Sequence, residues 1–427
     1  MVTNKPVPHG YKQTEVGVIP QDWQIDSLKR FWVVTDCKHI TAEFVSNGIP
    51  VASIREVQSY FVELKNAKQT TEFYYLELIE GGRKPQTGDL IFSRNATVGE
   101  VSQVCEWHPP FAMGQDVCLL RKKDPNFSSD YLQAVIRSPV VIEQLANLMV
   151  GSTFKRVNVE QIRNLTVPMP LPEEQRVIAQ SLSDIDALIT ECDRIITKKR
   201  NTKQGTMQQL LTGKKRLPGF SGEWEVKKLG EIGEFKNGIN KGKEDFGFGY
   251  PFVNLLDVFG RSKIFQGVSF GLVNSSGAER KIYELKKGDI LFIRSSVKPE
   301  GVGLTSVVND DLEDTVYSGF LIRFRDFGEL DFEYKVHCFN EEEFRKRVID
   351  SSTVSANTNI NQDALKKLQI TLPPTIEEQK AIAQILSDMD TEIAGLEQKR
   401  DKYKAIKQGM MQELLTGRTR LKHDLDN

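Results

Sequence analysis

The sequence predicts a mixed α/β fold in which two similar globular domains are separated by two long helices. A 45-residue segment occurs twice, at 173–217 and 377–421, without a gap at an offset of 204 residues, and 23 positions are identical. Both copies carry apolar residues at coiled-coil spacing, and each follows a stretch of short apolar runs and turns. Repetition at a fixed period indicates that the chain contains two copies of one structural unit.

These patterns divide the chain into four regions. They are a first globular domain at 1–170, a central helical region at 171–217, a second globular domain at 218–371 and a distal helical region at 372–427. In the first domain, a helical pattern covers 131–150. Apolar runs bounded by Gly, Pro and Asn turns, which are typical of strands, lie at 49–54, 73–78, 89–93 and 117–120.

The apolar residues of the repeats are spaced alternately by four and three positions, which is the a and d pattern of a coiled coil. The helix-packing residues so predicted are Ile178, Leu182, Ile185, Ile189, Cys192 and Ile196 in the first copy, and Ile382, Leu386, Met389, Ile393 and Leu396 in the second.

Capping signals mark the ends of both helices. Thr375 and Glu378 have the spacing of a capping box, and Gly213 and Gly417 lie where a glycine ends a helix. Each helix then has about 40 residues and a length of about 60 Å.

A helix of that length needs a partner of equal length to bury its apolar stripe. We therefore expect the two helices to pack antiparallel, with the domains at opposite ends, in a nearly two-fold and circular arrangement. The alternative is two separate helices, each covering its own domain.

Short matching sequence segments, here called anchors, recur in the two globular domains. GDLIFSR at 88–94 matches GDILFIR at 288–294, and the segment at 151–170 is similar to that at 351–373. The residues between the anchors differ. Two domains with one frame and different loops suggest the same task performed on two different targets.

Composition and charge exclude several classes of protein. Net charge is −1 and the predicted pI is near 6.6, which counts against binding nucleic acid through bulk charge alone. No apolar run approaches the ~20 residues of a membrane span, and the N-terminus lacks the apolar core of a secretion signal. The five cysteines are scattered without a CxxC pair, as in a cytoplasmic protein with reduced thiols.

Motifs for catalysis and metal binding are weak. WHPPF at 107–111 resembles a methyltransferase loop but has His108 at the position of the required amide, and TGKK at 212–215 lacks phosphate-loop spacing. Cys105 with His108, and His337 with Cys338, have no second pair at zinc-like spacing. The sequence therefore predicts neither a catalytic site nor a metal site.

The remaining candidates are polar and basic residues of the types that bind phosphates and base edges. Some follow the GD anchors and others lie in the loops near 151 and 353. They are Arg94, Asn95, Thr97, Gln115, Ser152, Thr153, Lys155, Arg156 and Asn158 in the first domain, and Arg294, Ser295, Ser296, Lys298, Thr353, Ser355, Asn357 and Asn359 in the second. Each could instead be a turn or surface residue, and the repeated arginine could hold its own domain together.

The helical segments resemble those of the specificity subunits of type I restriction-modification enzymes. The residues that carry the resemblance are LPEEQ, LSDID and QGTMQQLLTGKKRL between 171 and 217, and EEQ, LSDMD and QGMMQELLTGRTRL between 377 and 421, with GDILFIR in the second domain. The resemblance covers nearly the whole chain.

The resemblance implies a non-catalytic subunit in which each target-recognition domain reads one half of a split, asymmetric DNA site. It implies that the long helices fix the spacing and bind two methyltransferase subunits, which bring S-adenosylmethionine, and that restriction subunits bring ATP and Mg²⁺. This chain is then expected to hold no cofactor itself. Base-contacting residues do not carry over, since the recognition loops differ among members. The alternative is a coiled-coil scaffold that does not read DNA.

Overall fold

The computed structural model describes residues 7–149 and 156–421. The chain forms two compact units, one of Met1–Cys192 with Lys399–Asn427 and the other of Asp193–Gln398. Each unit therefore contains one globular domain and one half of each long helix. In the described part of the chain, no helix is long and apolar enough to span a membrane.

The first domain is built from short strands and helices. Its strands are β1 (Tyr11–Thr14), β2 (Gly17–Pro20), β3 (Gln24–Ser27), β4 (Trp32–Asp36), β5 (Phe44–Val45), β6 (Ile49–Ala52), β7 (Lys68–Thr70), β8 (Leu90–Ser93), β9 (Val101–Gln103), β10 (Ala112–Met113), β11 (Val117–Lys122) and β12 (Thr166–Met169). Its helices are α1 (Leu28–Phe31), α2 (Glu72–Ile79), α3 (Ser129–Ile136), α4 (Pro139–Leu148) and α5 (Val159–Arg163).

Two four-stranded sheets organise this domain. One has the antiparallel order β4-β11-β8-β9. The other has the order β10-β6-β7-β5, in which β10 runs parallel to β6. Alternate residues of β8 and β11 point to opposite faces. Phe92 and Leu120 therefore join the larger core with α3 and α4, whereas Ile91 and Leu119 join a second core with Phe111.

The second domain has a similar set of elements. Its strands are β13 (Glu225–Lys228), β14 (Gly233–Asn237), β15 (Phe246–Val253), β16 (Lys263–Ile264), β17 (Gly271–Val273), β18 (Ile290–Ile293), β19 (Ser295–Ser296), β20 (Thr305–Val308), β21 (Val316–Tyr317), β22 (Leu321–Asp326), β23 (Thr353–Val354), β24 (Thr358–Asn359) and β25 (Gln369–Leu372). Its helices are α7 (Leu229–Ile232), α8 (Leu255–Val258), α9 (Gly277–Ile282), α10 (Phe332–Cys338), α11 (Glu342–Asp350) and α12 (Gln362–Lys367), with 3-10 helices at Lys243–Asp245 and Pro299–Gly301.

The repeated GD anchor has the same structural role in both domains. Gly88 and Gly288 have φ angles of +85° and +86°, in the left-handed region that glycine adopts at little cost. Each neighbouring aspartate is buried and accepts two hydrogen bonds from an arginine on the next strand. Arg121 donates to Asp89 at 2.9 and 2.6 Å, and Arg325 donates to Asp289 at 2.6 Å in both bonds. The central sheet of the second domain, β14-β22-β18-β20-β16, repeats the order of the first with one strand added.

The long helices are α6 (Pro172–Leu210) and α13 (Ile376–Leu414), each of 39 residues. The expected N-cap of α13 and the terminal glycines are present, but the carboxylate of Glu378 pairs with Arg216 and does not complete a capping box. The Thr375 hydroxyl accepts a hydrogen bond from the Glu378 amide at 3.3 Å, and Gly213 and Gly417 have φ angles of +70° and +66°. The apolar stripe is buried or half-buried along its length, from Ile178 to Ile196 and from Ile382 to Leu396.

The helix halves run antiparallel within each unit. In the second unit, Lys203 pairs with Asp390 at 2.5 Å and Arg200 pairs with Glu397. In the first unit, Lys407 pairs with Asp186 at 2.7 Å, and this pair is the counterpart of Lys203–Asp390 at the offset of 204 residues.

The expected packing of the two helices on each other and the alternative, in which each helix covers its own domain, are both partly right. Ile178 and Leu182 also join the core of the first domain, together with Leu414 and Leu415. Each helix half therefore packs on its own domain and on the other helix.

One local expectation was wrong, and another was incomplete. Residues 73–78 lie in helix α2 and not in a strand, because Thr71 caps the helix by accepting a hydrogen bond from the Tyr74 amide. The helical pattern at 131–150 is divided between α3 and α4, because Pro139 starts a new helix and cannot continue the first.

Candidate nucleic-acid interface

The two groups of candidate residues lie side by side in each domain. In the first domain, the Arg94 amide donates to the Asp116 carbonyl at 2.8 Å, and the Val157 amide donates to the Arg94 carbonyl at 3.0 Å. In the second, the Arg294 amide donates to the Phe320 carbonyl at 2.8 Å, and the Ile360 amide donates to the Arg294 carbonyl at 2.9 Å. Main-chain hydrogen bonds therefore bring together loops that are separate in the sequence. We call this arrangement the shared frame.

The side chain of Arg94 points into the first domain. It is 3% exposed, and its Nη2 lies 2.8 Å from Oδ1 of Asp36 and 3.7 Å from the sulfur of Cys37. Arg294 is half-buried, and its Nη1 donates to the Gly319 carbonyl at 3.3 Å. This placement supports the interpretation that the repeated arginine holds its own domain together.

Arg156 is an exposed cation of the first frame. Its side chain is 53% exposed and lies 3.3 Å from Asp116, whose φ of +67° is left-handed. Arg156 also forms an antiparallel bridge with Asn95, and Gln115 is exposed beside Asp116. An arginine, an asparagine and a glutamine thus share one surface, where they can donate to base edges or phosphates.

A cleft of about 450 Å³ adjoins this surface. Gln115 and Asp116 form part of its wall. The other polar residues that line the cleft were not predicted, because they have no counterpart among the repeated anchors. They are Thr41, Ser53, Arg55, Glu56, Asn66 and Lys68.

The second domain builds its frame as a small antiparallel sheet, β19-β24-β23. Ser295 pairs with Asn359, and Asn359 pairs with Thr353. Directly paired residues project on the same face of a sheet, so these three candidates form one polar row. Ser296 and Val354 lie in the adjacent row with Thr358, on the opposite face.

The remaining candidates occupy turns and caps. The Asn158 side chain caps α5 by accepting a hydrogen bond from the Gln161 amide at 2.8 Å. Ser355 bonds to the Asn357 carbonyl through both its amide and its hydroxyl, whereas Lys298 is exposed. The Thr97 hydroxyl accepts a hydrogen bond from the side-chain amide of Gln58 at 3.0 Å. Ser152, Thr153 and Lys155 lie outside the described residues.

The possible metal ligands have structural partners. Both ring nitrogens of His108 are engaged, by the Cys105 amide at 2.8 Å and the Val62 carbonyl at 2.8 Å, and burial raises the pKa of the Cys105 thiol to about 11. Asp36, Cys37 and His39 place ligand atoms close together. However, Asp36 is already paired with the Arg94 guanidinium.

Known proteins with similar sequences and folds point to one family. The family model of the type I restriction modification DNA specificity domain matches residues 12–199 and again 221–405. A protein described as the specificity subunit of the type I restriction enzyme MjaX of Methanocaldococcus jannaschii is 25% identical over 448 residues, covering 96% of this chain and 97% of that protein.

Two solved structures share the fold. One, from a study of complex assembly and conformational transition of the type I R-M system, has a TM-score of 0.62 at 19% identity, covering 94% of this chain and 99% of that one. The type I restriction-modification S subunit from M. genitalium has a TM-score of 0.53 at 14% identity, covering 92% and 96%. Since the family model covers most of the chain in two copies, the protein belongs to the family of type I restriction-modification specificity subunits.

Proposed function

We propose that this chain is the DNA-recognition subunit of a type I restriction-modification complex, and that each globular domain reads one half of a split, asymmetric site through its shared frame. The subunit has no catalytic role of its own. The helices α6 and α13 fix the number of unread base pairs between the halves, because a continuous α-helix is a stiff element with a set rise per residue.

The observation that carries this proposal is that the two frames have the same main-chain hydrogen bonds but different side chains. The same hydrogen bonds join residue 94 to 116 and 157, and residue 294 to 320 and 360. The side chains on those frames differ, with exposed Arg156 and Gln115 in one domain and half-buried Asn359 in the other. A common scaffold with different hydrogen-bonding groups is suited to reading two different base sequences.

The partners of the chain follow from the same proposal. Methyltransferase subunits bind along the helices and supply S-adenosylmethionine, and restriction subunits supply ATP and Mg²⁺. Contacts of these partner subunits with the DNA phosphates supply the electrostatic attraction that this chain, with a net charge of −1, does not supply by itself.

Co-expression with a methyltransferase subunit, followed by mapping of methylated DNA, tests the proposal. We expect methylation at one motif of two short halves separated by a constant number of unspecified base pairs. A stable complex that methylates no specific sequence would instead favour a scaffold. Binding should weaken steeply with salt, because phosphate contacts release counterions.

A further inference from the structure

An exposed phenylalanine lies on the frame of the second domain. Phe320 is 60% exposed, although its main chain is held on both sides. Its amide donates to the Ser318 hydroxyl at 3.2 Å, and its carbonyl accepts from the Arg294 amide at 2.8 Å. The backbone is therefore anchored while the ring remains available for contact.

The equivalent residue in the first domain is acidic and not aromatic. Asp116 accepts the same main-chain bond, from Arg94, and pairs with Arg156 at 3.3 Å. The counterpart of Arg156 in the second domain is Asn359, which is paired with Ser295 as Arg156 is with Asn95. An ion pair in one frame is thus replaced by an aromatic ring and an amide in the other.

The amide of Asn359 is oriented by its own loop. Its Nδ2 donates to the Asn357 carbonyl at 2.9 Å, which uses one of its two N–H groups. Within the described residues, no hydrogen bond of its Oδ1 is seen. One donor and one acceptor in the same plane are the groups with which asparagine binds N7 and N6 of adenine.

The ring and the amide together match one base pair type. In the major groove the thymine C5-methyl is the apolar group on a base edge, and phenylalanine contacts it, while the adenine edge binds asparagine. We infer that Phe320 packs on a thymine methyl group and that Asn359 binds an adenine in the half-site read by the second domain. This inference rests on the proposed function, since it names the bases read by that frame.

Deoxyuridine provides the test, because it differs from thymidine only by the missing methyl group. Once methylation mapping has given the site, each thymine in both halves is replaced singly by deoxyuridine, and the affinity of the methyltransferase complex is measured. For the unaltered chain, at least one replacement in one half should weaken binding roughly fourfold, the loss expected for one buried methyl group. The Phe320→Ala complex should bind thymine and uracil DNA equally at that position.

Phe327→Ala is the matched control, since Phe327 is 68% exposed in the same domain but lies after β22, away from the frame. It should preserve the thymine preference. The inference is overturned if no thymine replacement changes affinity, or if Phe320→Ala keeps the discrimination. It is also overturned if Phe320→Ala weakens only the binding of the methyltransferase subunit. A complex without any sequence-specific binding would contradict the proposed function itself, which separates the two failures.

Discussion

Arg216 donates two hydrogen bonds to the carboxylate of Glu378, at 2.6 and 2.7 Å, and so joins the segment after α6 to the first turn of α13. Glu378 is 1% exposed, whereas the Arg216 side chain is 27% exposed. The counterpart at the offset of 204 residues is Arg420 with Glu174, at 2.5 and 2.8 Å. The same connection therefore stabilises both units.

Arg216→Ala should destabilise the second unit by about 3 kcal/mol, because it leaves a buried carboxylate without its partner. Glu378→Gln should cost less, since Arg216 can reach water and the amide keeps one hydrogen bond. Urea unfolding measures both. Lys214→Ala, at an exposed lysine of the same segment, is the control and should change stability by less than about 0.5 kcal/mol. Equal effects of all three variants would contradict the role of this pair.

Arg94→Met should lower the stability of the first unit by about 2 kcal/mol, because the buried guanidinium pairs with Asp36 and methionine replaces only its volume. The methylated sequence should remain unchanged. Arg294→Met, at the half-buried counterpart, should cost less than about 1 kcal/mol. Thermal unfolding and methylation mapping of the same variants decide the point. A stable Arg94→Met protein with an altered half-site would show that the arginine reads DNA.

Arg156→Ala should relax recognition at a single base pair of one half-site, with a loss of about 1–3 kcal/mol in discrimination there. Methylation mapping and competition binding measure it. Arg30→Ala removes an exposed arginine elsewhere in the domain and should leave the recognised sequence unchanged. A uniform loss of affinity across all sequences would instead assign Arg156 to a phosphate.

Insertion of seven residues after both Lys198 and Lys402 should lengthen the spacer of the DNA site by about three base pairs. Seven residues preserve the apolar stripe and add about 10 Å at 1.5 Å per residue, compared with about 3.4 Å per base pair. The two half-sites should not change. An insertion in only one helix disturbs the antiparallel pairing and should reduce stability. An unchanged spacer in the double insertion would refute the measuring role of the helices.

The buried His337 should make the second unit less stable at acidic pH. Its Nε2 lies 3.1 Å from the Ser387 hydroxyl, and burial, aided by the charge of Lys203, lowers its pKa to about 4, against the opposing effect of Asp390. Because the unfolded chain takes up this proton near pH 6.5, stability is complete above that pH and declines toward pH 4.

Between pH 7.5 and 5.0 this histidine should account for a loss of about 2 kcal/mol. His337→Gln, which retains a hydrogen-bonding side chain, should remove that part of the pH dependence. Urea unfolding of both proteins at the two pH values gives the difference. Identical pH dependence of the two proteins would show that His337 is not the responsible group.

The sequence predicted the long helices well, because their signals are local and repeated. The alternation of four and three residues and the glycines at 213 and 417 identify each helix without knowledge of tertiary contacts. The strand prediction at 73–78 failed for the opposite reason. A short apolar run fits a strand or a helix, and the cap at Thr71, which decides between them, was not recognised.

The candidate interface residues remain predictions, and their arrangement could not be predicted from the sequence. The candidate residues were chosen by type and by position after the repeated anchors, and that reasoning cannot tell an inward from an outward side chain. Arg94 and Asn95 are neighbours in sequence, yet Arg94 is buried and Asn95 is half-buried beside Arg156. Phe320 was missed because an aromatic residue at the edge of a strand is usually assigned to a core.

The shared frame has a consequence for how such proteins change over generations. Its hydrogen bonds run between main-chain groups, so they do not depend on which side chains occupy residues 116, 156, 320 and 359. A substitution at 156, 320 or 359 therefore alters the side-chain chemistry and keeps the main-chain hydrogen bonds of the frame, whereas the left-handed φ of Asp116 restricts the residues that fit there. If the frames read DNA as proposed, a change in the recognised bases requires only single substitutions that keep the main-chain bonds of the frame.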